Sequence, residues 1–276
     1  MTIPRVASTL AALAALAALV AAPEPARAQV GLPVGGDAPS LHIEVIKPFF
    51  DDPGLFAGSR IATSIWDASV VVPFEGAPTL FARLGFSFGT IEGASASATV
   101  SKPRLGAMIT PRGGLDLEAH VDLPFTIEMG SSDYATGMGI FANYEELERF
   151  QSDSWSFGTS ATAQSELDPG AFIGIRLGGT LLVPTGGGAD TDLYAVYSAF
   201  GHVPAGSSRL RIEVSGIALV TEAGPTFSER SFLFASVMLS RPDVRFAPDL
   251  YIRVPVDESL GGILNFAVGL RAHMGG

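Results

Sequence analysis

The chain has 276 residues, of which 47% are hydrophobic, and it carries a formal net charge of −11. The acidic balance argues against a nucleic-acid partner, and the absence of cysteine excludes disulfides and thiolate metal sites. Beyond the N-terminal segment, no apolar run reaches the length of about 18 residues that a membrane-spanning helix needs. The apolar residues are therefore expected either in a soluble core or in the wall of a β-barrel.

The N-terminus has the features of a secretory signal peptide. Arg5 precedes an unbroken apolar run at 10–22, and Ala26-Arg27-Ala28 forms a small-x-small cleavage site. We predict that residues 1–28 are a signal peptide and that 29–39, rich in glycine, proline and small residues, form a linker. An uncleaved membrane anchor is the alternative, but the run is short for a span of about 20 residues.

From residue 40 onward the chain divides into segments of strand length separated by turn signals such as Asp168-Pro169-Gly170. An even number of strands suits a single-chain bacterial barrel and places both termini in the periplasm. The segments 40–48 and 154–165 alternate weakly, so ten or fourteen strands remain open. The predicted strands are 40–48, 60–73, 79–89, 98–110, 114–125, 154–165, 170–183, 191–201, 208–220, 230–240, 243–254 and 263–274.

Apolar and ionisable residues alternate within these segments, most clearly in the fifth. Successive side chains of a strand point to opposite faces. One face of the fifth strand is apolar, with Leu115, Leu117, Ala119, Val121 and Leu123, and the other is ionisable. Phe232 and Phe234 are exceptions, because they lie on the face predicted to point inward. The charged residues predicted to line the lumen are Arg104, Asp116, Glu118, His120, Asp122, Arg176, Arg211, Glu213, Arg245, Asp249, Arg253 and Arg271.

Residues 126–153 interrupt the succession of strands. Asn143 could cap a short helix, with Glu146 closing a capping box. Three residues spaced by three would share one side of that helix: Tyr144, Leu147 and Phe150. A helix resting on the barrel rim is favoured over a lid or a plug inserted into the barrel mouth.

Candidate catalytic and metal-binding residues are few. His120 shares a face with Glu118 and Asp122, an arrangement that could tune a general base, but a histidine in a polar lumen network is favoured. A metal at His120 would need ligands from neighbouring strands, which spacing does not identify. No Gly-x-Ser-x-Gly motif is present, and the acidic segment 186–192 fits a hairpin loop better than a calcium site. We predict no catalytic residue, no metal and no cofactor.

Taken together, the signal, the alternating segments with Val-Pro and Leu-Pro ends, and the final strand resemble bacterial outer-membrane β-barrel proteins of porin-like, twelve-stranded type. The resemblance covers 40–276. Gly269, Ala272 and Met274 occupy the positions of the C-terminal assembly signal, with methionine in place of the usual terminal aromatic residue. The resemblance implies an antiparallel up-and-down barrel in the bacterial outer membrane, surrounded by lipid and inserted by the barrel-assembly machinery.

The predicted function is a narrow passive pore for small polar solutes or a structural barrel with a charged lumen, and not an enzyme. A barrel-embedded lipid hydrolase and a secreted soluble β-sandwich binding domain are the alternatives. Within the barrel, we expect Arg104 to lie near Glu118. We also expect an acidic wall at the fifth strand to face a basic wall formed by Arg245, Arg253 and Arg271 across the lumen.

Overall fold

The computed structural model describes residues 38–50, 63–90, 96–112, 114–130, 134–186, 190–221, 230–241, 246–257 and 261–275. The predicted signal peptide lies outside the described residues, and so does Arg245.

The described residues form fourteen β-strands, one α-helix and one 3₁₀ helix. The helix α1 spans Tyr134–Ala142 and the 3₁₀ helix spans Tyr144–Phe150. The strands are β1 (Ser40–Phe50), β2 (Ser64–Val72), β3 (Thr79–Gly89), β4 (Ser97–Val100), β5 (Arg104–Arg112), β6 (Leu115–Asp122), β7 (Ile127–Met129), β8 (Ser154–Asp168), β9 (Ala171–Pro184), β10 (Asp192–Ala205), β11 (Ser208–Leu219), β12 (Ser231–Ser240), β13 (Asp249–Pro255) and β14 (Leu264–Gly275).

These strands form one closed antiparallel barrel. The first and last strands pair with each other from Ser40↔Gly275 to Phe49↔Phe266, which closes the ring. Both β4 and β5 pair with β3, so they are successive parts of one wall strand. In the same way β6 and β7, which pair with β5 and β4, form the next wall strand. The fourteen strands therefore make twelve wall strands, and the predicted twelve-stranded barrel is confirmed.

Most predicted strand boundaries agree with the structure within a few residues. The weakly alternating segments 40–48 and 154–165 are strands β1 and β8. The eleventh predicted strand, 243–254, is shorter than expected, because β13 begins at Asp249. The sheet is a single closed layer, so the alternative of two packed sheets in a soluble sandwich is wrong.

The outer surface of the barrel is apolar. Trp66, Leu177 and Ile212 are 48%, 56% and 56% exposed, and large aliphatic side chains on β3, β5, β12, β13 and β14 are exposed in the same way. A soluble monomer rarely exposes a continuous apolar patch larger than a few hundred Å². A wall of this kind is typical of a barrel surrounded by lipid. Phe234 is fully buried inside the barrel, on the face predicted from its parity.

The connections at the two ends of the barrel differ in length. One end, here called the short-turn end, carries tight turns such as 169–170 and 206–207, where Gly170 and Gly206 adopt positive φ angles of 83° and 66°. Glycine takes this conformation without steric cost, which suits two-residue hairpins. The opposite end, the long-loop end, carries the longer connections, including 130–153. Among the described residues, no helix has the length and apolar character needed to cross a bilayer.

The apolar outer face predicts a depth-dependent response to charge. Leu177 lies midway along β9 and Leu167 lies next to a tight turn, and both side chains are exposed. Leu177→Arg should cost about 2–4 kcal/mol of folding free energy in vesicles, whereas Leu167→Arg should cost at most about 1 kcal/mol. Denaturant titration of the vesicle-folded variants measures both values, and equal costs would contradict a lipid-facing band centred on Leu177.

Candidate functional site

Residues 134–150, which lie between β7 and β8 in the chain, are inside the barrel and form the most distinctive feature of the lumen. We call α1 and the 3₁₀ helix together the plug (Tyr134–Phe150). Its apolar side packs against the inner wall in a buried cluster of Ile46, Ile65, Met138, Ala142, Phe150, Tyr251 and Ala267. The expectation of a helix resting on the rim is therefore wrong.

The plug differs locally from the predicted helix. Asn143 makes no side-chain capping bond; its Nδ2 instead donates to Glu146 Oε2 at 3.1 Å, and Glu146 has non-helical backbone angles. The predicted capping box is therefore not formed. The preceding α1 folds back onto the 3₁₀ helix at Gly139, where a Cβ atom would lie 2.4 Å from Phe150 Cδ1. Only glycine allows this close approach without displacing the ring.

Ion pairs attach the plug to the wall on one side. Glu146 Oε1 lies 2.7 Å from Arg83 Nη1 and 2.9 Å from Arg104 Nη1, and its Oε2 lies 3.2 Å from Arg149 Nη1. Arg149, which belongs to the plug and is fully buried, also binds Asp67 on β2. Opposite charges at these distances inside a low-dielectric interior attract strongly and offset the cost of burial.

The plug glutamates experience different electrostatic surroundings. Burial alone would raise the pKa of Glu146, but Arg83, Arg104 and Arg149 outweigh it and hold the pKa well below its usual range. Burial raises the pKa of Glu148, and the nearby carboxylates add to this effect while Arg104 opposes it. Glu146 is therefore an ionised anchor at neutral pH.

Arg104 is the centre of the charged network. Its Nε and Nη2 lie 2.6 Å and 3.0 Å from the two oxygens of Asp122, and Nη2 lies 2.6 Å from Glu148 Oε1. Arg104 stands directly opposite Asp122 in the β5–β6 register, while Met108 stands opposite Glu118. The side chains share the inner face as expected, but the expected proximity to Glu118 gives way to a bidentate pair with Asp122.

Glu118 is occupied by other partners. His120 Nδ1 lies 3.1 Å from Glu118 Oε1, and Arg176 Nη2 lies 3.7 Å from Glu118 Oε2. His120 Nε2 packs against the backbone of Gly158, where a Cβ atom would lie 2.1 Å away. Glycine at 158 therefore makes room for the imidazole ring on the inner wall.

The remaining predicted residues form short-range pairs. Thr110 Oγ1 donates to Asp116 Oδ1 at 2.5 Å. Three ion pairs join neighbours on the wall or the wall and the plug: Arg211–Glu213 at 2.7 Å, Arg271–Glu44 at 2.8 Å and Arg253–Glu145 at 3.4 Å. An acidic wall facing a basic wall is therefore not what the structure contains, because opposite charges alternate locally and the plug lies between the walls.

At the short-turn end, a chain of polar side chains ties β1, β13 and β14 together. Ser40 Oγ lies 2.9 Å from His42 Nε2, and His42 Nδ1 lies 2.5 Å from His273 Nδ1. His273 Nε2 lies 2.7 Å from Asp249 Oδ2. This chain reinforces the seam at which the barrel closes.

Beneath the plug lies a cavity of about 320 Å³. It extends from Asn143 and Glu145 on the plug to Asp249 and His273 at the short-turn end. The predicted lumen residues that line it are Arg104, His120, Arg176, Arg211, Glu213, Asp249, Arg253 and Arg271. Charged and polar lining of this kind is suited to water and polar solutes rather than to lipid.

Sequence reasoning missed several inner charged residues. Glu44, Asp67 and Arg83 lie on β1–β3, and the ion pairs described above place all three inside the barrel. The alternation within 40–48, 60–73 and 79–89 could have identified them, because each of these charged residues lies between two apolar residues in the sequence. Arg149 carried no strand signal, because it belongs to the plug.

Comparison with known proteins identifies the fold. No family model matches the sequence, and no curated protein sequence matches it. An outer membrane channel from Pseudomonas putida F1 superimposes with a TM-score of 0.55 at 10% identity, covering 91% of this chain and 100% of that one. LpxR from Salmonella typhimurium (TM-score 0.49, 11% identity, 85% and 99% coverage) and the NanC porin (0.49, 7%, 86% and 99%) are also similar.

The first of these likenesses, together with the closed sheet and its apolar outer face, defines the class. The protein is a twelve-stranded β-barrel of the outer-membrane type. A shared barrel does not by itself specify what passes through it or reacts within it.

The anchor role of Glu146 predicts a loss of stability on neutralisation. Glu146→Gln removes the charge shared by three arginines, and breaking a buried ion pair in this way should cost roughly 3 kcal/mol. Glu75→Gln, in an exposed turn, is the matched control and should leave stability unchanged. Urea unfolding of the refolded proteins measures the difference, and equal midpoints for both variants would contradict the anchor role.

Proposed function

We propose that this protein is an outer-membrane channel for small polar solutes, which the plug holds closed at rest. The observation that carries this proposal is the polar cavity that runs from beneath the plug to the short-turn end. The apolar side of the plug packs near the long-loop end, against Phe50 and Ile263 among others. The plug therefore separates the cavity from the medium at the long-loop end. Displacement of the plug would connect the cavity with that medium.

The charged lining of the cavity supports a transport role. Ionised side chains line it from several strands, among them Arg176, Arg211 and Glu213. Water and solutes that form hydrogen bonds are favoured in such surroundings, whereas apolar molecules are not. Barrels of about eight strands are filled by side chains and those of 16 to 18 leave an open channel, so twelve strands fit a narrow path.

We further propose that the chain is exported by the signal peptide 1–28 and inserted by the barrel-assembly machinery, with the short-turn end in the periplasm. In bacterial barrels the short turns are periplasmic and the longer loops are extracellular. The plug then closes the extracellular end.

A passive role is favoured over hydrolysis of lipid. His120, the candidate general base, lies inside the barrel against Gly158, while lipid contacts the outer face. A lipid ester would have to cross the wall to reach this imidazole. The geometry therefore supports a channel rather than a barrel-embedded hydrolase.

A reversible lock on the plug tests the proposal. The hydroxyl oxygens of Thr99 on β4 and Thr136 on α1 lie 2.8 Å apart, a separation that suits a disulfide between cysteines at these positions. The natural chain contains no cysteine to interfere. We expect Thr99→Cys/Thr136→Cys to conduct in planar bilayers when reduced, with openings as in the wild type, and to lose these openings when oxidised.

The single variant Thr99→Cys is the control and should conduct equally under both conditions. Absence of any wild-type conductance would favour a purely structural barrel. Conductance that persists in the oxidised double variant would show that the path does not depend on the plug.

A further inference from the structure

Three potential metal ligands meet where the plug contacts the wall. His120 and Asp122 lie on β6, and Glu148 lies on the 3₁₀ helix of the plug. One nitrogen of the imidazole and one oxygen of each carboxylate lie within 4.8 Å of one another. The set combines nitrogen and oxygen donors, as in sites for divalent transition metals.

Glu118 fixes one nitrogen of the His120 imidazole and leaves the other unpaired among the residues that the structure describes. His120 Nδ1 lies 3.1 Å from Glu118 Oε1, and because an ionised carboxylate can only accept, Nδ1 carries the proton. With the proton on Nδ1, Nε2 is the nitrogen at which an uncharged imidazole carries its lone pair. This nitrogen is buried without a hydrogen-bond partner among the described residues. A carboxylate that fixes the far nitrogen of a histidine in this way is a common feature of metal sites.

The carboxylate of Glu148 also has an unused oxygen. Glu148 is 2% exposed, and its Oε2 is buried with no partner within the described part of the chain. The neighbouring cation Lys102 donates its hydrogen bonds to Ser154 and Ser156 instead. A buried polar atom without a partner costs free energy comparable to that of a lost hydrogen bond, so the unpaired carboxylate oxygen of Glu148 requires an explanation.

Arg104 does not fill this position. Its guanidinium binds Asp122 and Glu148 Oε1, and it also binds Glu146 Oε1 at 2.9 Å, so its charge is shared among three carboxylates. Each carboxylate oxygen has more than one lone pair, so Asp122 can accept from Arg104 and still bind a metal. Asp122 and Glu148 would each contribute negative charge to a bound ion while keeping their contacts with Arg104.

We propose that His120, Asp122 and Glu148 bind one divalent transition-metal ion that links the wall to the plug. Tetrahedral coordination places ligand atoms about 3.3 Å apart, so the three side chains would close slightly around the ion. Three protein ligands leave a fourth position for water. The effect on the channel rests on the proposed function, because a metal bridge between β6 and the 3₁₀ helix would hold the plug closed.

Binding is tested without reference to transport. The refolded full-length barrel is stripped with a chelator and titrated with Zn²⁺ alone by calorimetry, with bound metal counted after desalting. We expect one Zn²⁺ per chain and a higher thermal unfolding midpoint. His120→Ala and the isosteric Glu148→Gln, which remove ligands, should each weaken binding by about 100-fold or more. Glu118→Gln, which removes the orienting carboxylate and its pair with Arg176, should weaken it about 10- to 100-fold.

His202→Ala is the matched control, because it removes another inner histidine that is not in this cluster. It should bind Zn²⁺ like the wild type. Heat-modifiable migration on gels establishes that every variant forms a closed barrel. Absence of tight Zn²⁺ binding by the wild type would overturn the proposal. The proposal would also be overturned if His202→Ala lost Zn²⁺ binding to the same extent as His120→Ala. A third contrary result is loss of Zn²⁺ binding in His42→Ala with normal binding in His120→Ala, because either result would place the ion elsewhere.

The proposed effect of the metal on the channel is tested by a separate measurement of current. Zn²⁺ should reduce the current of the wild-type channel in planar bilayers and leave that of His120→Ala unchanged. If Zn²⁺ binds through the three residues but the wild type never conducts, the metal site stands and the channel proposal fails. If the wild type conducts and ignores bound Zn²⁺, the link to the plug is wrong.

Discussion

The structure depends on one constraint, the pairing of every backbone polar group within the sheet. A hydrocarbon environment offers no hydrogen bonds, so a sheet can cross it only when its two edges meet. Here β1 and β14 provide that closure over nearly their full lengths. The seam brings the two ends of the described barrel together and turns one face of every strand inward. Everything that distinguishes the lumen follows from this enclosure.

Enclosure makes charge pairing compulsory. An ionised side chain on the inner face cannot reach bulk water freely, and an unpaired buried charge costs several kcal/mol. The inner wall meets this requirement locally, as in Arg211–Glu213 and Arg271–Glu44. The plug adds further partners to these wall pairs, and its Glu146 contacts Arg83, Arg104 and Arg149. The plug is therefore part of the electrostatic balance of the barrel as well as a filling of its space.

The wall could be predicted from the sequence because lipid and lumen impose opposite demands on adjacent residues. Apolar and polar residues therefore alternate with a period of two residues, and this alternation can be recognised even within a single strand such as 115–122. The same rule placed Phe234 inside, although it is apolar, and the structure agrees. Twelve strands could be counted because turn residues separate them.

The plug could not be predicted in the same way. The sequence of α1 contains no charge and little difference between its faces, so its amphipathic pattern does not mark it as a helix inside a barrel. The ion-pair partners of the inner charged residues could not be predicted from the sequence either. Arg104 binds Asp122 rather than Glu118 because the β5–β6 register, which shifts between Ile109 and Arg112, places Asp122 opposite Arg104. Parity alone does not specify that register. Glu148 joins the proposed metal site through a contact with Asp122, which lies 26 residues earlier in the chain (122 to 148). No rule based on sequence spacing predicts that contact.

The position of the plug explains why the lumen is both occupied and incompletely filled. Its ionic contacts are concentrated on the side of β2, β3 and β5, through Asp67, Arg83 and Arg104. On the opposite side its polar contacts are fewer, with Glu145 reaching Arg253 and Ser215. The plug is therefore attached more strongly to one wall, and the cavity is the space that remains beneath it. Charge as well as apolar packing holds it on the anchored side, so neutralising a few buried groups would weaken its attachment. A barrel that needed only to be filled could have used apolar side chains, which make no such adjustable contact.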